Sequence, residues 1–140
     1  MRGEAERRAV VARVRQCIES AQYRFDAIPE MAPEIVNCYV LIYWGWRPFC
    51  PDLPLYPDAQ QTHGRPVETA QLAPADLVFA SAGHGSRYPQ LLHVGLASGG
   101  GRVIHAIPRY GVVEVTLERF FRKRTPRGAC RIIQPDIEPR

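Results

Sequence analysis

Helical periodicity occupies the start of this 140-residue chain, and short apolar strands joined by glycine turns occupy the rest. That order predicts an α+β domain in which N-terminal helices pack on an antiparallel β-sheet. Helices do not alternate with the strands, as a parallel sheet with crossover connections would require. The length suits a single domain over 1–140 with its core at about 10–133.

Each element has a local reason. Over residues 4–22, Val10, Val11, Val14, Cys17, Ile18 and Ala21 recur at steps of three and four with arginines on the other face. This predicts an amphipathic helix and makes Cys17 a core thiol. Residues 23–36 hold Pro29 and Pro33 and no period, so they read as a loop. Asn37 stands where an N-cap stands, and Cys38, Leu41, Ile42, Gly45 and Trp46 follow at helical spacing. The prediction is a short buried helix with Cys38 in its first turn and Pro48 at its end. The proline-rich, polar stretch 51–66 reads as a loop with one helical turn at most. Strands are predicted at 76–80, 91–98 and 102–107, the last two closed into a hairpin by Gly99-Gly100-Gly101. Between the first two lies a loop, 82–90, with Gly83 and Gly85. Gly111 precedes a strand at 112–115, Thr116 caps a short helix to about Phe121, and 129–133 is a last strand.

Hydrophobic residues make up 46% and charged residues 23% of the chain, which excludes a disordered or collagenous protein. No apolar run approaches the roughly 20 residues of a membrane helix. The N-terminus is charged and lacks the apolar centre of a signal peptide. The expectation is a soluble protein, cytoplasmic or exported without a cleaved signal, with no membrane partner. The net charge of +4 is modest, and its densest piece is Arg119, Arg122, Lys123, Arg124 and Arg127. With no aromatic platform interleaved, this cluster reads as a solvated turn, and no nucleic-acid partner is expected. Cys17, Cys38, Cys50 and Cys130 form no CxxC pair, and no histidine joins them at zinc-finger spacing. That argues against a structural zinc site or a disulfide scaffold.

Cys38 is the thiol whose position suggests chemistry. A thiol attacks as the thiolate, and the free amides and macrodipole of a helix's first turn favour that form. A lone cysteine on an apolar helix is nonetheless more often core. The histidines shift the balance. His93 lies in one strand of the predicted hairpin and His105 in the other. Across a tight turn they can be neighbours on one face. One imidazole can then pair with the thiolate while the second fixes its tautomer.

Here the chain resembles the NlpC/P60 cysteine peptidases, which have a papain-like fold. Their Asp-Cys-Ser-Gly-type motif is matched by Asn37-Cys38-Tyr39-Val40, and their Pro-Gly-Asp-Leu-type strand start by Pro74-Ala75-Asp76-Leu77. Their His-Val-Gly strand is matched by His93-Val94-Gly95, and their later His-Ala pair by His105-Ala106. Tyr23 matches a tyrosine upstream of the cysteine, and the likeness runs from about Val10 to Ile133. The resemblance implies Cys38 as nucleophile, His93 as general base and acid, and His105 as the orienting third member. Tyr23 would add a hydroxyl near the oxyanion, beside the Cys38 amide. It also implies acyl transfer without metal or organic cofactor, on a peptide bond of the cell-wall stem peptide, commonly next to D-glutamate. Asn37 and Tyr39 replace the aspartate and serine that help such enzymes hold a free amino group. Asn37 and Tyr39 are candidate substrate-binding residues for that reason, Trp44 because it lies near the active helix, and His84 because Gly83-His84-Gly85 can form a flap near the hairpin. Asn37 keeps a cap but lacks the charge, and Tyr39 is bulky.

The remaining polar residues carry blander readings. His63 is a surface-loop histidine, Cys50 a packed or exposed thiol, and Cys130 a core residue. Gln60 and Gln61 border the cleft or lie outside it. The rival functions are a cysteine acyltransferase on the same scaffold, a non-catalytic binding domain with a vestigial cleft, and a nucleic-acid binder using the basic cluster. Oligomeric state is not legible in the sequence.

Overall fold

The computed structural model describes residues 2–81 and 91–132. Helix α1 (Arg2–Arg15) leads, followed by two short strands, β1 (Gln22–Tyr23) and β2 (Ile35–Val36). Then come α2 (Cys38–Trp46), α3 (Pro57–His63) and β3 (Arg65–Val67). The chain continues through β4 (Leu77–Ser81), β5 (Leu92–Gly99), β6 (Arg102–Ile107), β7 (Gly111–Thr116), α4 (Leu117–Phe120) and β8 (Pro126–Arg131). β1 and β2 form a small parallel pair. The other six strands form one antiparallel sheet in the order β3-β8-β4-β5-β6-β7. The fold is α+β. Among the described residues, no helix is long and apolar enough to cross a membrane.

Burial follows the strand alternation. Leu77, Phe79, Val94, Leu96, Ile104 and Ala106 share one core with Val10, Val14, Leu41, Ile42 and Trp46 from the helices. Residues of the opposite face, Val78, Ala80, Ala97 and Val103, make a second cluster with Phe120 of α4. Successive strand side chains point to opposite faces, so two clusters require cover on both sides of the sheet. Gly45 lets α1 approach α2: a Cβ there would lie 2.4 Å from Val14 Cγ2.

Three differences from the sequence reading have clear causes. The first helix stops at Arg15, and 16–20 continue as turns, where Cys17 and Ala21 still bury against the core. The apolar period therefore outlasts the helix itself. The stretch 51–66 contains a two-turn helix and the start of a strand, fixed by long-range contacts. Gln60, fully buried, donates to the carbonyls of Pro54 and Leu55, and β3 pairs with β8. Strand β8 begins at Pro126, because pairing opposite Ala80 of β4 recruits residues with no strand signature.

The Pro74-Ala75-Asp76 segment is held by its acid. Asp76, fully buried, accepts from the Ala73 amide at 2.7 Å and from Arg131 Nε and Nη2 at 2.9 Å each. A paired guanidinium in this bidentate form satisfies a carboxylate that burial would otherwise penalise. Ala75 beside it has φ of 73°, a left-handed conformation that favours glycine.

Candidate active site

α2 opens as the sequence predicts. Asn37 is its N-cap, and Asn37 Oδ1 accepts from the Val40 amide at 2.9 Å. That bond fixes the side-chain amide, and Asn37 Nδ2 then donates to the carbonyls of Phe25 at 3.2 Å and Ala27 at 3.4 Å. Asn37 is 2% exposed, so its polar atoms are spent on tying the 25–27 backbone to the helix start. Cys38 follows as the first helical residue, half-buried.

The histidines come from β5 and β6. These strands pair Leu96 with Ile104, Ala97 with Val103 and Gly99 with Arg102, and toward His93 the pairing stops. Continuing the register puts His105 level with Gly95, so His93 is its diagonal neighbour on the same face. His93 Nε2 lies 2.7 Å from His105 Nδ1, and the rings meet edge-on with centroids 5.0 Å apart. This bond leaves His93 Nδ1 for another partner. Where the two strands have parted, backbone donors of Val94, Tyr39 and Cys38 face the thiol. The nucleophile candidate therefore meets β5 at the residue next to His93.

Phe120 supports the pair from below. Its ring stacks on His93 at 5.5 Å and meets His105 edge-on at 5.0 Å. Gly95 makes room for it: a Cβ there would lie 2.8 Å from Phe120 Cε1 and 2.5 Å from Val103 Cγ1. Arg124 closes the group. Its Nη1 donates to the Phe120 carbonyl at 2.9 Å, and its guanidinium lies 5.7 Å from the Phe120 ring centroid. Among the described residues it has no carboxylate partner.

The electrostatics run two ways. Burial pushes the Cys38 thiol above its ordinary value, against the pull of the backbone donors of Val94, Tyr39 and Cys38 and the charge of Arg124. Burial, then His105 and Arg124, hold His93 well below an ordinary histidine. Burial first and Arg124 second bring His105 down to about 3. The first-turn position of Cys38 favours a thiolate, but desolvation outweighs it. Both shifts favour the uncharged forms, a thiol beside imidazoles, over a thiolate–imidazolium pair.

Tyr23 is half-buried next to these groups. Burial raises its hydroxyl, with smaller contributions from Cys38 and Tyr39. Tyr39 lies against Tyr56, with ring centroids 5.3 Å apart. Gln60 Nε2 donates to the Tyr39 carbonyl at 3.4 Å, so Gln60 braces this side from within the core. Trp44 lies apart from the group: the Arg13 guanidinium sits 3.7 Å over its ring, and Arg13 Nε donates to its carbonyl. It belongs to the α1–α2 contact. His84 lies outside the described residues.

Sequence reasoning missed Phe120, Arg124 and the reason for Gly95. The basic cluster read as solvated contains one arginine, Arg124, that is half-buried beside the two histidines. No local pattern marks it among its exposed neighbours.

No family model matches the sequence, and no curated protein is a significant match. Solved structures do match in fold. NlpC2 from Trichomonas vaginalis superposes with a TM-score of 0.76 at 18% identity, over 91% of this chain and 46% of its own. The NlpC/p60 domain of the peptidoglycan hydrolase SagA gives 0.67 at 24% identity, over 88% of this chain and 96% of its own. The P60 domain of an antigen from M. avium subspecies paratuberculosis gives 0.72 at 19% identity, over 96% and 99%. This chain spans less than half the length of both Trichomonas proteins, NlpC1 and NlpC2. The chain has the fold of an NlpC/P60 domain.

Proposed function

Starting from the NlpC/P60 fold of this chain, we propose that it is a cysteine hydrolase that cleaves a peptide or amide bond through a thiol acyl-enzyme. The observation that carries this reading is the 2.7 Å bond from His93 Nε2 to His105 Nδ1 beside the N-terminus of the helix that begins with Cys38. Two histidines on apolar strands have no packing reason to bond each other. A base whose tautomer must be fixed gives them one.

The steps follow from the neutral resting pair. Cys38 Sγ attacks the carbonyl carbon as His93 Nδ1 takes the thiol proton, with His105 holding the imidazole through Nε2. The tetrahedral oxyanion is met by the backbone amide of Cys38 and the Tyr23 hydroxyl. The C–N bond breaks as His93 returns the proton to the leaving amine. A water then adds to the thioester, giving its proton to His93. The acid departs, and the proton goes back to sulfur. Arg124 supports the cycle by favouring the developing thiolate.

The substrate of this reading is a cell-wall stem peptide of the γ-D-glutamyl-diamino acid type. SagA, a structural neighbour, is described as a peptidoglycan hydrolase. Asn37 is uncharged and 2% exposed, out of reach of a substrate amine, so recognition falls to Tyr23, Tyr39 and Tyr56. The whole chain acts as one domain in this reading. The test is to incubate the protein with such a wall peptide and trap the acyl-enzyme for mass spectrometry. The expected result is acylation of Cys38, absent in Cys38→Ser and slowed about 10²–10⁴-fold in His93→Ala. Cleavage that persists in Cys38→Ser overturns the mechanism. If no wall peptide is cleaved and iodoacetamide labels Cys38 equally fast with and without His93, the domain is a binding module.

A further inference from the structure

Cys50, Asp52 and His63 form a second constellation of reactive groups, away from the histidine pair. Cys50 ends the turn after α2, with its amide bonded to the Trp46 carbonyl at 2.8 Å. His63 is the last residue of α3. Cys50 Sγ lies 3.3 Å from Asp52 Oδ1 and 3.7 Å from His63 Nε2, and the three atoms lie within 4.8 Å of one another. Cys50 is buried, whereas Asp52 and His63 are exposed.

The two separations from sulfur match a tetrahedral metal, and the exposed Asp52 and His63 side chains need only close on each other to complete it. With bonds of about 2.3 Å to sulfur and about 2.0–2.2 Å to nitrogen and oxygen, tetrahedral ligands sit roughly 3.5 Å apart. One thiolate, one imidazole and one carboxylate suit a borderline divalent ion such as zinc, with water in the fourth position on the exposed side. The alternative is a thiol donating to Asp52 with His63 nearby by chance. A hydrogen bond to Asp52 does not explain why the imidazole nitrogen also turns to the sulfur.

We propose that Cys50, Asp52 and His63 bind one zinc-like divalent cation. Cys50 loses its thiol proton to solvent as the metal–sulfur bond forms. The ion fastens the 50–56 turn to α3. That turn carries Tyr56, which rests on Tyr39, and its Pro54 and Leu55 carbonyls already receive Gln60 from α3. The site therefore braces the tyrosine wall beside Cys38 without supplying a group to the reaction, and it does not depend on that reaction being correct.

The test is titration of the metal-free full chain with cobalt(II), followed by displacement with zinc. The expected result is one equivalent of cobalt with a thiolate-to-cobalt charge-transfer band that zinc abolishes. The band should vanish in Cys50→Ser and persist in Cys38→Ser. In His63→Ala, where the exposed position leaves the fold intact, binding should weaken about tenfold or more. Zinc should raise the melting temperature of the native protein and not of His63→Ala. Cobalt bound without a thiolate band overturns the proposal. So does a band that survives Cys50→Ser, or one that disappears in Cys38→Ser, which would place the metal at the other thiol.

Discussion

Replacing Gly95 with alanine tests the claim that Phe120 holds the histidine pair. The added Cβ lies 2.5 Å from Val103 Cγ1 and 2.8 Å from Phe120 Cε1. Carbon atoms rest at about 3.5 Å or more, so these groups must recede by roughly 1.0 and 0.7 Å. Both side chains are fully buried, so they recede into packed neighbours and not into solvent. Overpacking of this kind costs about 1–3 kcal/mol. The same movement disturbs a ring that touches both His93 and His105. A displacement of about 1 Å at a reacting group costs on the order of 100-fold in rate. Urea unfolding should therefore show a lower midpoint, and the acylation rate of Cys38 should fall together with it. Adding Phe120→Leu should recover part of the stability without restoring the rate. If Gly95→Ala leaves stability within about 0.5 kcal/mol and the rate unchanged, Phe120 does not position the pair.

Arg124→Gln removes the cation that lowers His93, His105 and Cys38 alike. The acid limb of the pH–rate profile, set by protonation of His93, should move to higher pH. The alkylation profile of Cys38 should also move to higher pH, whereas a purely structural role would shift neither. His105, lowered to about 3 by burial, couples folding to acid. The unfolded histidine takes up its proton near pH 6.5 and the native one does not. His105 should therefore contribute a fall in stability of about 1.4 kcal/mol per pH unit from pH 6.5 down toward 3, beside the contribution of His93, and in a denaturant series the slope should be shallower by about that amount in His105→Asn. Asn37→Asp keeps the acceptor for Val40 but turns a carboxylate oxygen toward the Phe25 and Ala27 carbonyls. It should cost about 1–3 kcal/mol at neutral pH, measured by thermal unfolding, even though aspartate is a good helix cap.

Much of this protein was settled by local sequence. The capped helix beginning at Cys38, the strand 102–107 and the cap at Thr116 all appear where short-range pattern puts them, because a cap, a period and a glycine turn each act within a few residues. The expectation that His93 and His105 meet also came from the chain, since a hairpin brings close residues in sequence together in space. Tertiary structure decided what reaches across the sheet. Phe120 lies beneath the histidines only because α4 folds back over β5 and β6, and Arg124 belongs to the site only because its backbone follows that helix. Desolvation was equally invisible: a first-turn cysteine looks activated until packing against the core desolvates its sulfur and raises the thiol. Cys50 and His63 stand 13 residues apart, a spacing with no signature, and only the turn after α2 and the end of α3 bring sulfur and nitrogen together. Interactions within one element or one hairpin are written in the order of residues. Burial and contact between distant elements depend on how the whole sheet is packed.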